Sequence, residues 1–74
     1  MNELIIIKTI IKNKITKNNI INELIINNYV SCINVIENVS SHYKWQGKVE
    51  SEKEDILLIK TMKRNEILVY EVIR

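Results

Sequence analysis

The segment from Val30 to Thr61 constrains the fold more than any other part of the chain. Two strand-like runs meet there at Gly47, the only glycine in the sequence. Tyr43 and Trp45 come just before this glycine, and an apolar block from Ile56 to Ile59 lies near the end of the second run. Two such runs joined at a glycine are typical of a β-hairpin, so the segment predicts a long hairpin that turns at Gly47.

Length and composition limit the class of protein. The 74 residues make one small domain, residues 1–74, and 46% of them are hydrophobic, which is typical of a globular chain. The net charge of +2 is too small to indicate a nucleic-acid partner. Cys32 is the only cysteine, which excludes an internal disulfide and favours a reducing compartment. We see neither a signal peptide nor a membrane span of ~18 apolar residues, so we expect a cytoplasmic protein without a membrane partner.

The segments outside the hairpin predict one strand and two helices. Leu4–Ile7 is an aliphatic run, β-branched from Ile5 to Ile7, that predicts a strand covered on both faces, and Thr9–Lys14 is a polar exit from it. Apolar residues recur at helical spacing in Ile15–Tyr29, and Asn27-Asn28 predicts the end of that helix. Met62–Arg74 predicts the second helix.

The order of these elements is strand, helix, strand, strand, helix. This order makes up most of an α+β ferredoxin-like sandwich, which is also called the split βαβ fold. The final strand of that fold is missing from the predicted elements. Asn38–Ser41 predicts a bend or bulge inside the second strand. In a ferredoxin-like sheet the final strand lies beside the first, so its absence would leave Leu4–Ile7 as an apolar edge. We therefore expect the chain to form oligomers or to aggregate.

Three motifs resemble the CutA divalent-ion tolerance family. Ser31-Cys32-Ile33-Asn34 resembles the element that opens the family's second strand, and Ser41–Glu50 is similar to its S-x-Y-x-W-x-G-K-x-E signature. Leu57–Thr61 resembles the family strand that ends in I-K-T, and Thr9 falls where the family's first strand ends in threonine. These spacings need no gaps, so the resemblance extends over essentially the whole chain.

The resemblance implies a homotrimer packed sheet to sheet, with the long hairpin reaching a neighbouring copy. It also implies a role in tolerance of divalent metals, especially copper, without catalytic activity. The family continues into a His-Pro-Tyr segment with its metal-ligand histidines, a strand and a C-terminal helix, so we expect a C-terminally truncated member. Two alternatives stay open: an interaction or scaffold module that binds no metal, and a non-functional relict of a CutA gene.

Few side chains in the sequence are suited to metal or catalytic chemistry. Cys32 is either a small core residue, which we favour, or a soft ligand for Cu(I). The only histidine, His42, is a weaker candidate that could join it from another copy. One cysteine and one histidine supply little for nucleophilic or metal catalysis, so we do not expect an enzyme.

The side chains near the turn favour a subunit interface. Tyr43 and Trp45 are two residues apart and share a face, and aromatic residues are enriched at interface cores. We expect Gly47 and Lys48 to belong to the same contact. The acidic residues from Glu50 to Asp55 match no standard ligand loop, so we expect a solvated stretch there rather than a metal site.

Overall fold

A computed structural model describes residues 3–74 as a three-stranded antiparallel sheet with helices on one side. Its elements in chain order are β1 (Leu4–Ile11), α1 (Lys14–Ile26), β2 (Cys32–Trp45), β3 (Lys48–Met62), a 3-10 turn (Lys63–Asn65) and α2 (Glu66–Ile73). The strand order is β1-β3-β2, and the central β3 is antiparallel to both neighbours. The predicted α+β class and the predicted order of elements are confirmed.

Asparagines set both ends of α1. The Asn13 side chain accepts a hydrogen bond of 2.9 Å from the Thr16 backbone N–H and caps the first turn. Asn28 takes a φ of 58°, the left-handed conformation that ends many helices, which confirms the predicted stop. The helix begins one residue before the predicted range Ile15–Tyr29 and ends three residues before its end. In the part of the chain described, neither helix is long and apolar enough to cross a membrane.

Two predicted boundaries are wrong. β1 does not leave the sheet at Thr9, because Thr9–Ile11 continues the ladder opposite Asp55–Leu57. Met62 is the last residue of β3, opposite Leu4, and not the first residue of a helix. Pairing with the central strand overrides the local pattern in both places.

The apolar core fills the space between the helices and one face of the sheet. Leu24 of α1, Val69 of α2, and Leu57 and Ile59 of β3 have no exposed surface. Burial of a side chain of this size contributes about 1.5–3 kcal/mol relative to leaving it in water. Residues two apart on β3 supply this layer, so its alternation specifies which face the helices cover.

Thr61 joins the segment after α1 to the sheet. Its buried hydroxyl donates a hydrogen bond of 2.6 Å to the Tyr29 carbonyl oxygen. Two residues after Tyr29, the Ser31 N–H donates a hydrogen bond of 2.8 Å to the carbonyl oxygen of Lys60, the residue before Thr61. These two bonds satisfy polar groups that would otherwise be costly beside the core.

A bulge divides the β2–β3 hairpin into two parts. The register shifts between Ile36 and Val39, where β2 has one residue more than β3. Asn38 lies in this bulge with a φ of 58°, a conformation that asparagine tolerates better than most residues. The predicted bend within the second strand is therefore confirmed.

Beyond the bulge the hairpin continues to the predicted turn. Trp45 pairs with Lys48, and Gln46 and Gly47 form the loop between them with φ values of 49° and 78°. Positive φ at both loop residues is the requirement of a type I′ turn, whose twist matches the flanking strands. The turn at Gly47 is confirmed, and the hairpin contributes to a long molecule of 45 × 25 × 19 Å.

Candidate functional site: the open sheet face and the hairpin tip

The face of the sheet that points away from the helices is uncovered in the described part of the chain. Side chains alternate along each strand and paired residues share a face, so the register assigns each residue to one side. We call the uncovered side the open face. It consists of Leu4, Ile6, Lys8 and Ile10 of β1, Ile56, Leu58, Lys60 and Met62 of β3, and Cys32, Asn34 and Ile36 of β2.

Large apolar side chains of the open face are in contact with water. The exposed fraction is 59% for Leu4, 60% for Ile6, 47% for Ile10 and 46% for Ile36. The prediction that the first strand is covered on both faces is wrong for a single chain, because both helices pack on the other side. Alternate residues of this run instead face the core, and the residues between them face outward on the open face.

Cys32 lies on the open face, at the start of β2 and opposite Lys60. It is exposed, so the prediction that it packs in the core of the chain is wrong. The next residue, Ile33, takes the inward position, because it pairs with the fully buried Ile59. The thiol is therefore accessible to solvent in a single copy of the chain.

The structure does not bring His42 near Cys32. His42 pairs with Ser51, whereas Cys32 pairs with Lys60, so their partners are 60 − 51 = 9 residues apart on β3. An odd separation places the two side chains on opposite faces, about 30 Å apart at ~3.3 Å per residue. Within residues 3–74, no three or more His, Cys, Asp or Glu side chains are grouped to hold a metal ion. The predicted ligands of one copy therefore do not fit a metal site.

The hairpin tip presents two aromatic side chains on one side. Tyr43 pairs with Glu50 and Trp45 pairs with Lys48, so all four residues share a face. The exposed fraction is 42% for Tyr43 and 62% for Trp45. Gly47 turns the chain beside them, and a Cβ added there would meet nothing within 4 Å. The tip is thus an exposed aromatic surface at the end of a long arm.

Glu52 links the base of this arm to the end of β1. It accepts a hydrogen bond of 2.8 Å from the Tyr43 hydroxyl and forms an ion pair with Lys12. Lys12 first, and then Tyr43, hold the pKa of Glu52 below its usual value, and the same hydrogen bond raises the pKa of Tyr43. Lys12 and Tyr43 are both exposed, so their contacts with Glu52 orient the arm more than they stabilise the fold.

The sequence analysis missed a charged cluster around Asp55. Asp55 is 5% exposed and accepts hydrogen bonds from Lys17 at 2.9 Å, Lys14 at 3.2 Å and the Asn38 backbone N–H at 3.0 Å. Glu37 lies 3.4 Å from the same Lys17 amine. The prediction of a solvated stretch is therefore wrong for Asp55, which connects α1 to the β2 bulge.

The contacts of Asp55 have a clear electrostatic consequence. The Asn38 N–H first, and then Lys17, lower the pKa of Asp55 to about 2. The Asp55 carboxylate in turn raises the pKa of Lys17. Lys14 and Lys17 lie one helical turn apart, and this spacing could have been read from the sequence. The contact of the Asn38 N–H with the carboxylate could not, because it depends on the bulge.

The described elements form an α+β ferredoxin-like sandwich with a long, bulged hairpin and an uncovered sheet face. The sequence profile of the family described as CutA1 divalent ion tolerance protein matches residues 5–74. The chain therefore belongs to the CutA1 family, as the hairpin motifs predicted.

Relatives and solved structures agree with this membership. The chain is 30% identical over 57 residues to "Protein CutA, chloroplastic" of Arabidopsis thaliana, which covers 77% of this chain and 31% of that protein. The structure of CutA1 from Oryza sativa matches with a TM-score of 0.82 at 25% identity, over 97% of this chain and 67% of that one. That of CutA1 from Ehrlichia chaffeensis has the same fold, with a TM-score of 0.84 at 21% identity over 96% and 66% of the two chains.

The chain is shorter than the proteins it matches. It spans about a third of the Arabidopsis protein and about two thirds of the two solved chains. The coverage is consistent with the expectation that family members continue beyond the second helix.

Proposed function

We propose that the chain acts in tolerance of divalent metal ions as a self-assembling protein, a homotrimer whose copies meet through the open face. The observation that carries this proposal is the exposure of large apolar side chains such as Ile6 (60%) on one side of a small sheet. Contiguous apolar patches on soluble proteins mark interaction sites. Membership of the CutA1 family supports the connection to divalent ions.

The hairpin tip is the second part of the proposed contact. Tyr43 and Trp45 are exposed on the same side of the hairpin at the end of a long arm. Both aromatic side chains are about half exposed in the single chain, so we propose that a neighbouring copy covers them together with Gly47 and Lys48. Burial of aromatic anchors is a common source of interface stability.

A metal role requires more than one copy of the chain. Cys32 and His42 point to opposite faces, so no pair of predicted ligands converges within one copy. Cys32 nevertheless lies exposed on the face that we propose copies to share, and a thiolate is a preferred ligand of Cu(I). We propose that any binding of copper or another divalent metal ion depends on assembly and on Cys32.

The proposal assigns no catalytic step to this protein. A single histidine and a single cysteine, placed far apart, support a binding or structural role rather than catalysis. The location in the cytoplasm likewise stays a prediction that rests on the single cysteine.

Analytical ultracentrifugation with matched variants tests the assembly. Ile36→Glu places a charge on the open face, and Ile26→Glu places the same charge on an exposed position of α1, where 75% of the side chain is in water. We expect a trimer for the unaltered chain and for Ile26→Glu, and dissociation for Ile36→Glu. A trimer that tolerates both substitutions equally would show that the open face is not the contact.

Copper titration followed by calorimetry and by the fluorescence of Trp45, the only tryptophan, tests the metal role separately. Under reducing conditions with Cu(I), we expect saturable binding for the unaltered chain and its loss for Cys32→Ser. Equal binding by both proteins would exclude Cys32 as a ligand. A trimer that binds no copper would leave the assembly proposal intact and favour a scaffold without metal.

A further inference from the structure

The sheet changes from three strands to two at Asp55. β1 makes its last pair between Ile11 and Asp55, and the bulge of β2 lies opposite the same residue. Within the described chain, the hairpin beyond this point, residues 39–54, is a two-stranded ribbon, and this ribbon is the arm that ends in the hairpin tip. We call the three-stranded part with its helices the body. A bulge bends and twists a strand locally, so Asp55 marks the place where the arm can change direction relative to the body.

The Asp55 side chain bridges the bulge and α1 with its two oxygen atoms. Oδ1 accepts the hydrogen bond of 3.0 Å from the Asn38 N–H, so a backbone group of the bulge is bound to this side chain. Oδ2 accepts the hydrogen bonds from Lys17 at 2.9 Å and from Lys14 at 3.2 Å, both of which belong to α1. One carboxylate therefore fixes the bent strand to a helix that packs on the sheet.

The arm has two ionic contacts with the body, and they differ in their exposure to water. Asp55 and Lys17 are both buried. The second contact joins Lys12, at the end of β1, to Glu52 of the arm, and most of the Lys12 side chain is in water. Water and dissolved salt weaken an exposed ion pair much more than a buried one. The Asp55–Lys17 pair is therefore the stronger constraint on the direction of the arm.

We propose that the Asp55–Lys17 ion pair is a latch that holds the arm in one direction relative to the body, and that the arm swings about the bulge when the pair is removed. Taking two charges out of water costs free energy that their attraction offsets, so a buried pair adds little net stability. Such a pair can instead select one arrangement of the chain over others. The latch uses contacts within one copy only, so it stands whether or not copies assemble through the open face.

A double substitution separates the latch from the stability of the fold. Asp55→Val alone leaves the buried Lys17 ammonium with Glu37 as its remaining partner and should destabilise the chain. Lys17→Met combined with Asp55→Val removes both charges and places a β-branched residue in the strand, where such residues are favoured. Asn38 is exposed, so water can bond to its N–H once the carboxylate is absent. Apolar replacement of a buried ion pair is often neutral or stabilising, so we expect the double variant to fold.

Pulsed electron–electron double resonance measures the direction of the arm. Spin labels are attached through Val49→Cys, near the tip of the arm, and Asn22→Cys, on α1, in a Cys32→Ser background, since both labelled positions are exposed. All the proteins carry Ile6→Glu, which places a charge on the open face away from the bulge and favours single copies. An excess of the same protein without labels suppresses distances between copies. The measured distribution of distances then reports how far the arm moves relative to the body.

We expect one narrow distribution when the ion pair is intact and a distribution broader by about twofold or more in the double variant. Lys12→Met, which removes the exposed ion pair with Glu52, is the matched control and should broaden the distribution less. A distribution that stays narrow in the double variant would overturn the proposal. Equal broadening by Lys12→Met and by the double variant would also overturn it.

A single substitution decides the question if circular dichroism shows that the double variant does not fold. Lys17→Met removes the buried ammonium, whereas Asp55 keeps its hydrogen bonds to the Asn38 N–H and to Lys14. We expect a broadening smaller than that of the complete removal, because Lys14 is mostly exposed and holds the carboxylate less firmly. A distribution identical to that of the intact pair would overturn the latch.

Discussion

The two faces of the sheet are formed by the same strands but differ in how far their side chains are buried. On the helix side, Leu57 and Ile59 of β3 are completely buried under α1 and α2. On the open face, the alternate residues Ile56 and Leu58 lie beside side chains of β1 and β2 that are about half exposed. Within residues 3–74, helices cover one side of the sheet and leave the other side uncovered.

This difference separates the residues that fold the chain from those that we propose assemble it. A substitution on the helix side should change the free energy of unfolding of each copy. A substitution on the open face should change the association of copies and leave the structure of each copy close to the original. The two faces can therefore be compared by variants of neighbouring residues on one strand.

The largest expected effect comes from the core. Ile59→Ala removes a fully buried side chain and should lower the free energy of unfolding by about 2–5 kcal/mol, because it leaves a cavity. Leu58→Ala, the adjacent residue on the open face, is the matched control and should mainly weaken association. Urea unfolding at several protein concentrations measures both. Equal losses of concentration-independent stability would contradict the division between the faces.

The next effect concerns the charged cluster on the helix side. The pKa of Asp55 is about 2 in the folded chain and roughly 3.9 when unfolded, so the folded state favours the ionised carboxylate. Its contribution is fully present above about pH 4 and is lost as the pH falls toward 2. Asp55→Asn should flatten the fall of the melting temperature across this window. Thermal unfolding from about pH 2 to about pH 5 compares the two proteins, and an unchanged slope for Asp55→Asn would contradict this role of the carboxylate.

A smaller effect is expected at Thr61. Thr61→Val keeps the shape of the side chain but leaves the Tyr29 carbonyl oxygen without its hydrogen bond, at a cost of about 1–3 kcal/mol. Thr61→Ser keeps the hydroxyl and should retain that bond. Thermal unfolding monitored by circular dichroism compares them, and a Val variant more stable than the Ser variant would show that the bond contributes little.

The smallest effect is expected at the hairpin turn. Gly47→Ala forces a Cβ onto a residue with a φ of 78° and should cost about 1–2 kcal/mol through backbone strain alone, since the space around it is open. Gln46→Asn, at the preceding position with a φ of 49°, should stabilise the turn, because asparagine–glycine is the preferred type I′ pair. Chemical denaturation measures the free energy of unfolding, which should fall for Gly47→Ala and rise for Gln46→Asn. A stabilising Gly47→Ala would refute the turn assignment.

Local sequence signals predicted the hairpin turn and the end of α1. Gly47 marked the turn, Asn28 marked the end of α1, and both residues have the positive φ that made them informative. These features depend on a few adjacent residues, so the sequence contains the necessary information. The family motifs lie on the same hairpin, which is why the fold and the family could be predicted together.

The features that sequence reasoning missed depend on distant contacts. Cys32 and Ile33 are neighbours of similar burial tendency, and only the packing of the helices decides which one faces inward. Asp55 and Lys17 are 38 positions apart, and their contact requires both the crossover of α1 and the bulge at Asn38. The one-sided cover of β1 likewise follows from where the helices pack and not from the β-branched run itself.

The most direct test of the assembly proposal is the mass of the purified chain in solution. Sedimentation equilibrium at micromolar concentrations, with and without a chelator, should find the trimer as the smallest assembled species, unaffected by chelator, and Ile36→Glu should convert it to monomer. A chain that is monomeric at these concentrations, although its open face is intact, would contradict the account.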